Sequence, residues 1–476
     1  MWRVTALVLL SAAFFWGAAA AQQNGPGDQD WDLDLIPQAA VATRPESAAA
    51  AKAMSTTAGR VYIEDAFTVT SPRGQLAVAA PGRAPFHRQE RLFVDIRKEW
   101  RLAGFPTFTY SGRVNFRAED GLSFPAHENL INEVREAYMS WHPSDRAYFD
   151  LGRINLKSGV ALGYNPTDFF RSRSVVEPLS ADPTVLREDR LGTLMLRGQQ
   201  LFATGSLTLA FAPDLYEPSP IYTDTGLPSL NPMLDRTNAS NRFLAKGTLN
   251  LDDRLSPELL LYRERNHTRF GTNLAEGISQ KVVTYLEWSG GRRATLIDDA
   301  LRHGRDTGTL PVGTSRVTPG SSRMSFQSEL ALGASYTTES RVTFNLEYHF
   351  NQAGFAAADW RNWFAMGRNR SSSSPVAGEL WYLRAYAADQ QYPISRHSAF
   401  LRADWVDAFV PRLELTGFVN VDLYDGSGLV QLTADDYLSD HWTVGALTSA
   451  NFGSARSNFG SLGSAASFMV KVARYF

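Results

Sequence analysis

From Arg91 to the last residue, apolar and polar positions alternate with a period of two, the spacing of extended strands whose faces meet different surroundings. Leu92, Val94, Ile96, Trp100 and Leu102 share one face, against Phe93, Asp95, Arg97, Glu99 and Arg101. Over residues 107–117, Phe108, Tyr110, Val114 and Phe116 oppose Thr109, Ser111, Arg113, Asn115 and Arg117. The division recurs over 341–350, with Val342, Phe344, Leu346, Tyr348 and Phe350 against Thr343, Asn345, Glu347 and His349. Over 413–423 the polar side carries Glu414, Thr416, Asn420 and Asp422. The closing stretch, 461–476, puts Phe468, Val470, Val472 and Phe476 on one face and Ser467, Met469, Lys471 and Ala473 on the other. Arg474 falls on the apolar face near the end, where a long side chain reaches back to an interface.

Several of these runs reach ten residues or more, longer than the five or six usual in soluble sheets and matched to a tilted strand crossing lipid. Short turns read at 104–106, 142–145, 252–256, 337–339, 408–412 and 439–441. Long connections fall at 161–190, 213–240, 289–321 and 351–395. Outer-membrane barrels put short turns in the periplasm and long loops outside. About seventeen strands follow from Arg91, and residues 60–70 supply the further strand that an even count requires. The pattern therefore predicts a transmembrane antiparallel β-barrel of 16–18 strands, eighteen favoured, over residues 60–476. Sixteen stays open because alternation weakens between Leu191 and Trp288. Residues 359–366 and 378–388 are aromatic-rich without alternation and are expected to form short helices folded over the mouth.

The N-terminus fits an exported chain. Residues 1–21 combine Arg3, an apolar run from Ala6 to Trp16 and a small-residue exit, the layout of a secretory signal peptide. Residues 22–59 are low in complexity, acidic and then alanine-rich, and read as a flexible periplasmic extension. No later stretch approaches the roughly 18 apolar residues of a spanning helix. A membrane-spanning form must then be a closed barrel, because lipid satisfies no backbone hydrogen bond. A Gram-negative outer membrane follows, with its lipid and lipopolysaccharide as surroundings and the barrel-assembly machinery meeting the aromatic-ended last strand.

Composition narrows the chemistry. The 476 residues contain no cysteine, which removes disulfides and thiolate sites. A formal net charge of −2 gives no field for nucleic acid. Arginine dominates the basic residues, and guanidinium forks grip anions better than ammonium groups. The eight histidines are scattered without metal-ligand spacing, so no metal, cofactor or catalytic group is expected. His349 beside Glu347, with a serine, is a remote enzymatic alternative.

The densest unusual stretch is GRINLKSGVALGYNPTDFFR, residues 152–171. A strand there leads into a loop, Asn165 and Pro166 force a turn, and Thr167 or Asp168 is placed to cap a helical turn. It reads either as a loop-capping motif or as a constriction offering Asn165, Asp168, Arg171 and Arg173 to the pore. Downstream, Arg187, Glu188, Asp189 and Arg190 form a mixed cluster suited to a salt-bridged lock or a polar gate.

Taken with the signal peptide, strand count and C-terminal aromatic, this segment resembles outer-membrane porin-like barrels, including those of the alginate-export type. The resemblance implies passage of a hydrophilic solute or polymer. A polyanion exporter implies a strongly basic lumen. Here Arg97, Arg101, Arg113 and Arg117 form a basic patch, while Asp95, Glu99, Glu347, Glu414 and Asp422 also point inward. The expected pore lining is Arg97, Arg101, Arg113, Arg117, Glu347, Glu414 and Asp422, with the acidic wall opposite the basic one. The expected function is a channel for hydrophilic solutes such as sugars or polysaccharide; the alternative is a structural or adhesive barrel plugged by its own loops.

Overall fold

The computed structural model describes residues 59–81, 86–101, 106–120, 130–176, 178–221, 231–251, 255–310 and 324–476. The expected signal peptide and all but the last residue of the expected extension lie outside the described residues, as do parts of the turns expected at 104–106 and 252–256.

Eighteen strands follow one another along the chain. The first six are β1 (Gly59–Pro72), β2 (Arg88–Trp100), β3 (Thr107–Glu119), β4 (Leu130–Ser144), β5 (Ala147–Ile154) and β6 (Thr193–Phe202). Next come β7 (Gly205–Ala212), β8 (Arg242–Leu249), β9 (Glu258–Glu264), β10 (His267–Ser279), β11 (Val282–Arg293) and β12 (Ser325–Thr337). The last are β13 (Val342–Asn351), β14 (His397–Trp405), β15 (Leu413–Asp422), β16 (Gly428–Ser439), β17 (Trp442–Phe452) and β18 (Ser464–Tyr475). Each pairs antiparallel with its sequence neighbours, and β1 pairs with both β2 and β18, which closes the ring. The seam sets Tyr62 opposite Tyr475, with stacked rings 5.0 Å apart. Closure leaves no sheet edge.

Alternation became inside and outside as the side-chain period dictates. On β13, Phe344 and Leu346 are exposed outward at 41% and 60%, while Asn345, Glu347 and His349 are buried inward. The apolar outer band is bordered by aromatic residues at both rims. Trp100 and Phe108, Trp141 and Phe149, and Trp405 and Phe409 pair at the short-turn rim. Trp288 stacks on Phe326, and Phe211 lies in register with Phe243, toward the other rim. Arg474 lies over the rings of Trp442 and Phe476 at 5.4 and 5.1 Å, so its charge sits at the aromatic border.

Two connections at the long-loop rim are short. The β9–β10 hairpin turns through Arg265, which takes φ 50°, and β15 reaches β16 through residues 423–427. The rule of alternating short and long connections thus holds less strictly than the sequence suggested.

Five α-helices occur among the described residues: α1 (Pro183–Glu188), α2 (Leu234–Thr237), α3 (Leu296–Asp306), α4 (Ala357–Gly367) and α5 (Pro375–Asp389). The last two extend the expected helices by a few residues. Helix α3 was not expected, although Thr295 and Asp298 form its N-terminal cap and Leu296, Ala300, Leu301 and Gly304 its buried face. With α4 and α5 it forms an apolar cluster in which Trp363 donates to Leu380 O and Trp360 to Ser395 Oγ.

Candidate functional site

The connection between β5 and β6, residues 155–192, turns into the barrel, and its tip is fastened to the wall by its own backbone. Ala161 N donates to Glu287 Oε1 at 2.6 Å, and Val160 N donates to the same oxygen. Leu162 N and Gly163 N donate to the two carboxylate oxygens of Glu347 at 2.6 and 2.9 Å. Four successive amides therefore end on two buried carboxylates of β11 and β13. Each carboxyl group accepts from two adjacent amides, so the tip is held at two points of the wall. Glycine flanks this seat for a steric reason. Gly159 has φ +80°, and a Cβ there would stand 2.4 Å from the Glu287 carboxylate. At Gly163 a Cβ would meet the Phe400 ring at 2.6 Å. Beyond the tip, Phe169 stacks on Tyr262, rings 4.5 Å apart, and Thr167 Oγ1 donates to Asn273 on β10.

The returning limb touches the remaining wall. Leu179 packs on apolar residues of β1, β2, β17 and β18. Ala181 N donates to Gln431 on β16, and Asp182 lies 3.2 Å from Arg402 on β14 while also capping α1. Asp189 then accepts from Arg135 at 2.8 Å and lies 3.2 Å from Arg113. These two guanidinium groups also hold buried Asp95, at 2.7 and 3.1 Å, with Tyr62 donating at 3.3 Å. Wall carboxylates thus hold the loop's backbone, and wall arginines hold its carboxylates.

Asp168 and Arg190 join the two limbs of the loop. Burial alone would lift the Asp168 carboxyl, but the guanidinium groups of Arg190 and then Arg187 outweigh it and hold the group below its ordinary value. A third cluster centres on buried Glu329, with Arg269 at 2.8 Å, Arg171 at 3.8 Å and Arg293 in contact. Three cations around one anion leave this part of the lumen with a positive excess. The guanidinium of Arg171 also lies over the rings of Tyr164 and Tyr392, at 4.6 and 5.1 Å.

The expected site residues separate into groups. Asn165, Asp168, Arg171 and Arg173 all lie buried within or beneath the inward loop, bonded to it or to α5. No helical turn follows Thr167 or Asp168; Asp168 is spent on Arg190 instead. Arg113 is locked between Asp95 and Asp189, and Arg117 lies 3.6 Å from Glu119. Arg97 and Arg101 are exposed near the short-turn rim, Arg101 beside Glu99. Glu347 points inward but carries the loop. Glu414 is half-buried and accepts from Tyr437, whereas Asp422 is buried and accepts from Ser395 and Asn458. The acidic wall is not opposite the basic one. From β3 to β15 through the seam is six steps of an eighteen-strand ring, a third of the circumference. Sequence reasoning missed Glu287, Glu329 and Arg135 because their partners lie far along the chain.

His349 Nε2 lies 2.6 Å from Glu347, and its Nδ1 lies 3.5 Å from Ser398 Oγ. The three are in line, but Glu347 is occupied by loop amides and by Tyr285 OH, and the serine contact is at the limit of a hydrogen bond. Among the described residues, no group of three histidine, aspartate or glutamate side chains is placed to hold a metal ion.

No family model matches the chain, and no curated protein matches its sequence. Solved structures match its fold. OccK5 (OpdH) of Pseudomonas aeruginosa superposes with a TM-score of 0.50 at 8% identity, over 88% of this chain and 97% of that one. OccAB1 of Acinetobacter baumannii gives a TM-score of 0.48 at 10% identity, over 88% and 96%. OpdL of P. aeruginosa gives 0.48 at 9%, over 88% and 98%. The likeness is one of fold, a closed antiparallel β-barrel.

Proposed function

We propose that this barrel is a channel of the Gram-negative outer membrane that passes hydrophilic solutes, sugars or polysaccharide among them. The supporting observation is a set of inward side chains that remain in contact with solvent. Arg402, Asp404, Glu414, Thr416, Thr433, Asp435 and Lys471 all point into the ring from β14, β15, β16 and β18, and all stay partly exposed. A side chain facing the inside of a closed barrel is accessible only where the lumen has room for water. The apolar outer band and its aromatic borders suit lipid, with lipopolysaccharide outside, and the inward loop narrows the passage. Export by a cleaved leader and insertion through the C-terminal strand complete this reading.

The loop's contacts all round the wall favour the rival, a structural or adhesive barrel closed by its own loop. Planar-bilayer recording of the folded, full-length protein decides. Stable conductance steps in potassium chloride are expected. Repeated insertions without a step, both in the native chain and after removal of residues 352–394, would establish the rival.

A further inference from the structure

A cavity of about 410 Å³ opens between α5, the inner faces of β14 and β15, and the segment joining β17 to β18. That volume lies within the roughly 300–1,000 Å³ of sites that hold small molecules. Its apolar walls include Trp381, Tyr392, Phe459 and Leu462; its polar ones include Ser398, Asn420 and Asp422.

The two charges at the cavity are already committed. Arg384 donates to Ser461 Oγ at 2.8 Å and to Asn458 O and Oδ1 at 3.0 and 2.9 Å, with three indole rings 5.3–5.4 Å away. Asp422 accepts from Ser395 Oγ, Asn458 Nδ2 and Tyr424 N. Asn420 differs. It faces inward from β15, in register with Phe400 and Leu429, and its Oδ1 is buried without a hydrogen-bond partner. A buried acceptor without a donor is destabilising, and the Asn420 side chain lines the cavity. Ser398, in register with Asp422 on the neighbouring strand, adds a hydroxyl whose contact to His349 is long at 3.5 Å.

We propose that this cavity is a docking site for a neutral, ring-shaped polyol, a sugar of one or two rings. The Asn420 amide and the Ser398 hydroxyl meet neighbouring hydroxyl groups, and the aromatic side chains cover the ring's C–H face. A charged solute finds no free counter-charge there. The proposal rests on the channel reading and gives it a place where the solute pauses at the mouth.

The test uses the full chain folded in detergent, with intrinsic tryptophan fluorescence as one readout, since Trp381 lies in the wall. D-glucose and maltose are compared with gluconate and glucosamine, which keep a similar size and add a charge of either sign. Saturable signals with the two neutral sugars are expected, weakened about tenfold in Asn420→Ala by loss of one hydrogen bond. Phe459→Ala is a second variant, and heat-modifiable gel mobility confirms that each is folded. Tighter binding of gluconate or glucosamine, no saturation by either sugar, or native binding in both folded variants would overturn the site. Bilayer recording separates the two claims. A conducting channel whose current the sugars do not reduce refutes the site alone. Saturable fluorescence in a chain that never conducts refutes the channel alone.

Discussion

Arg190 donates from both terminal nitrogens to the two carboxylate oxygens of Asp168, at 2.7 and 3.1 Å, and both residues are buried inside one loop. Breaking such a pair from one side strands a buried charge, a loss on the order of 3–5 kcal/mol. Asp168→Asn is therefore expected to loosen residues 155–192 while the barrel persists. Limited proteolysis should cut the loop in the variant, whereas the full-length band keeps its heat-modifiable mobility. Equal protection in both proteins would deny the pair this role.

The same pair sets an acid limit. The Asp168 carboxyl is held below its ordinary value, so its contribution is complete above about pH 4 and is lost as pH falls through the lowered value. The part of the channel noise that depends on this pair is expected to set in only below about pH 4, and Asp168→Asn removes that step. Noise that rises already near neutrality would point to a different group.

Glu287 and Glu347 together take four loop amides, and each such hydrogen bond contributes about 0.5–1.5 kcal/mol. Replacing both by Gln keeps an acceptor oxygen but removes the charge, and replacing both by Ala removes the seat. Open-channel fluctuation should increase from native to Gln to Ala. An unchanged record in the double Ala variant would show that the loop is held elsewhere.

His303 on α3 lies 2.8 Å from Tyr382 OH on α5, and burial, reinforced by Arg173, lowers it to about 4. Its folded value is below its unfolded one, near 6.5. The neutral ring is therefore favoured in the fold, and the helix contact weakens as pH falls from about 6.5 toward 4. Tryptophan emission from the α4–α5 cluster should shift near pH 4 in the native protein, where the folded ring takes up its proton. It should not shift in His303→Gln.

Replacing Arg97, Arg101, Arg113 and Arg117 by Gln is expected to move the reversal potential toward cations. The structure divides the effect. Arg97 and Arg101 are exposed and act on passing ions, whereas Arg113 acts through Asp189 on the loop. The pair Arg97→Gln and Arg101→Gln should shift selectivity without added noise, and Arg113→Gln should add noise. A reversal potential indifferent to all four would mean that these walls do not line the conducting path.

Alternation made the barrel legible wherever the inward face carries polar side chains, as on β13 and β18. It faded between Leu191 and Trp288 for a physical reason. On β9, Leu259 and Leu261 face outward, but Leu260 and Tyr262 face inward beneath Phe169 and Phe170 of the loop, so both faces are apolar. The strand's polarity reflects what fills the lumen there, and that filling comes from residues about ninety positions earlier. The candidate site was legible in the same limited way. Residues 152–171 stood out as unusual, but nothing local says that their amides will seek Glu287 and Glu347, more than 120 residues away. Of the lock, Asp168 and Arg190 lie close enough in sequence to suggest a pair, whereas Arg113 and Arg135 are brought to Asp189 only by the ladder of β2, β3 and β4.

Ala161 is fully buried beside Ala275, Tyr285 and Ala331, with Val160 packed against them, whereas the half-buried Leu162 side chain has no part in the amide seat that holds the tip of the inward loop. The residue at 162 is then free to vary, exchanging what the loop shows to the lumen, while the pose depends on two glutamates elsewhere and the glycines at 159 and 163. New preferences can arise there by single substitutions that leave the scaffold intact.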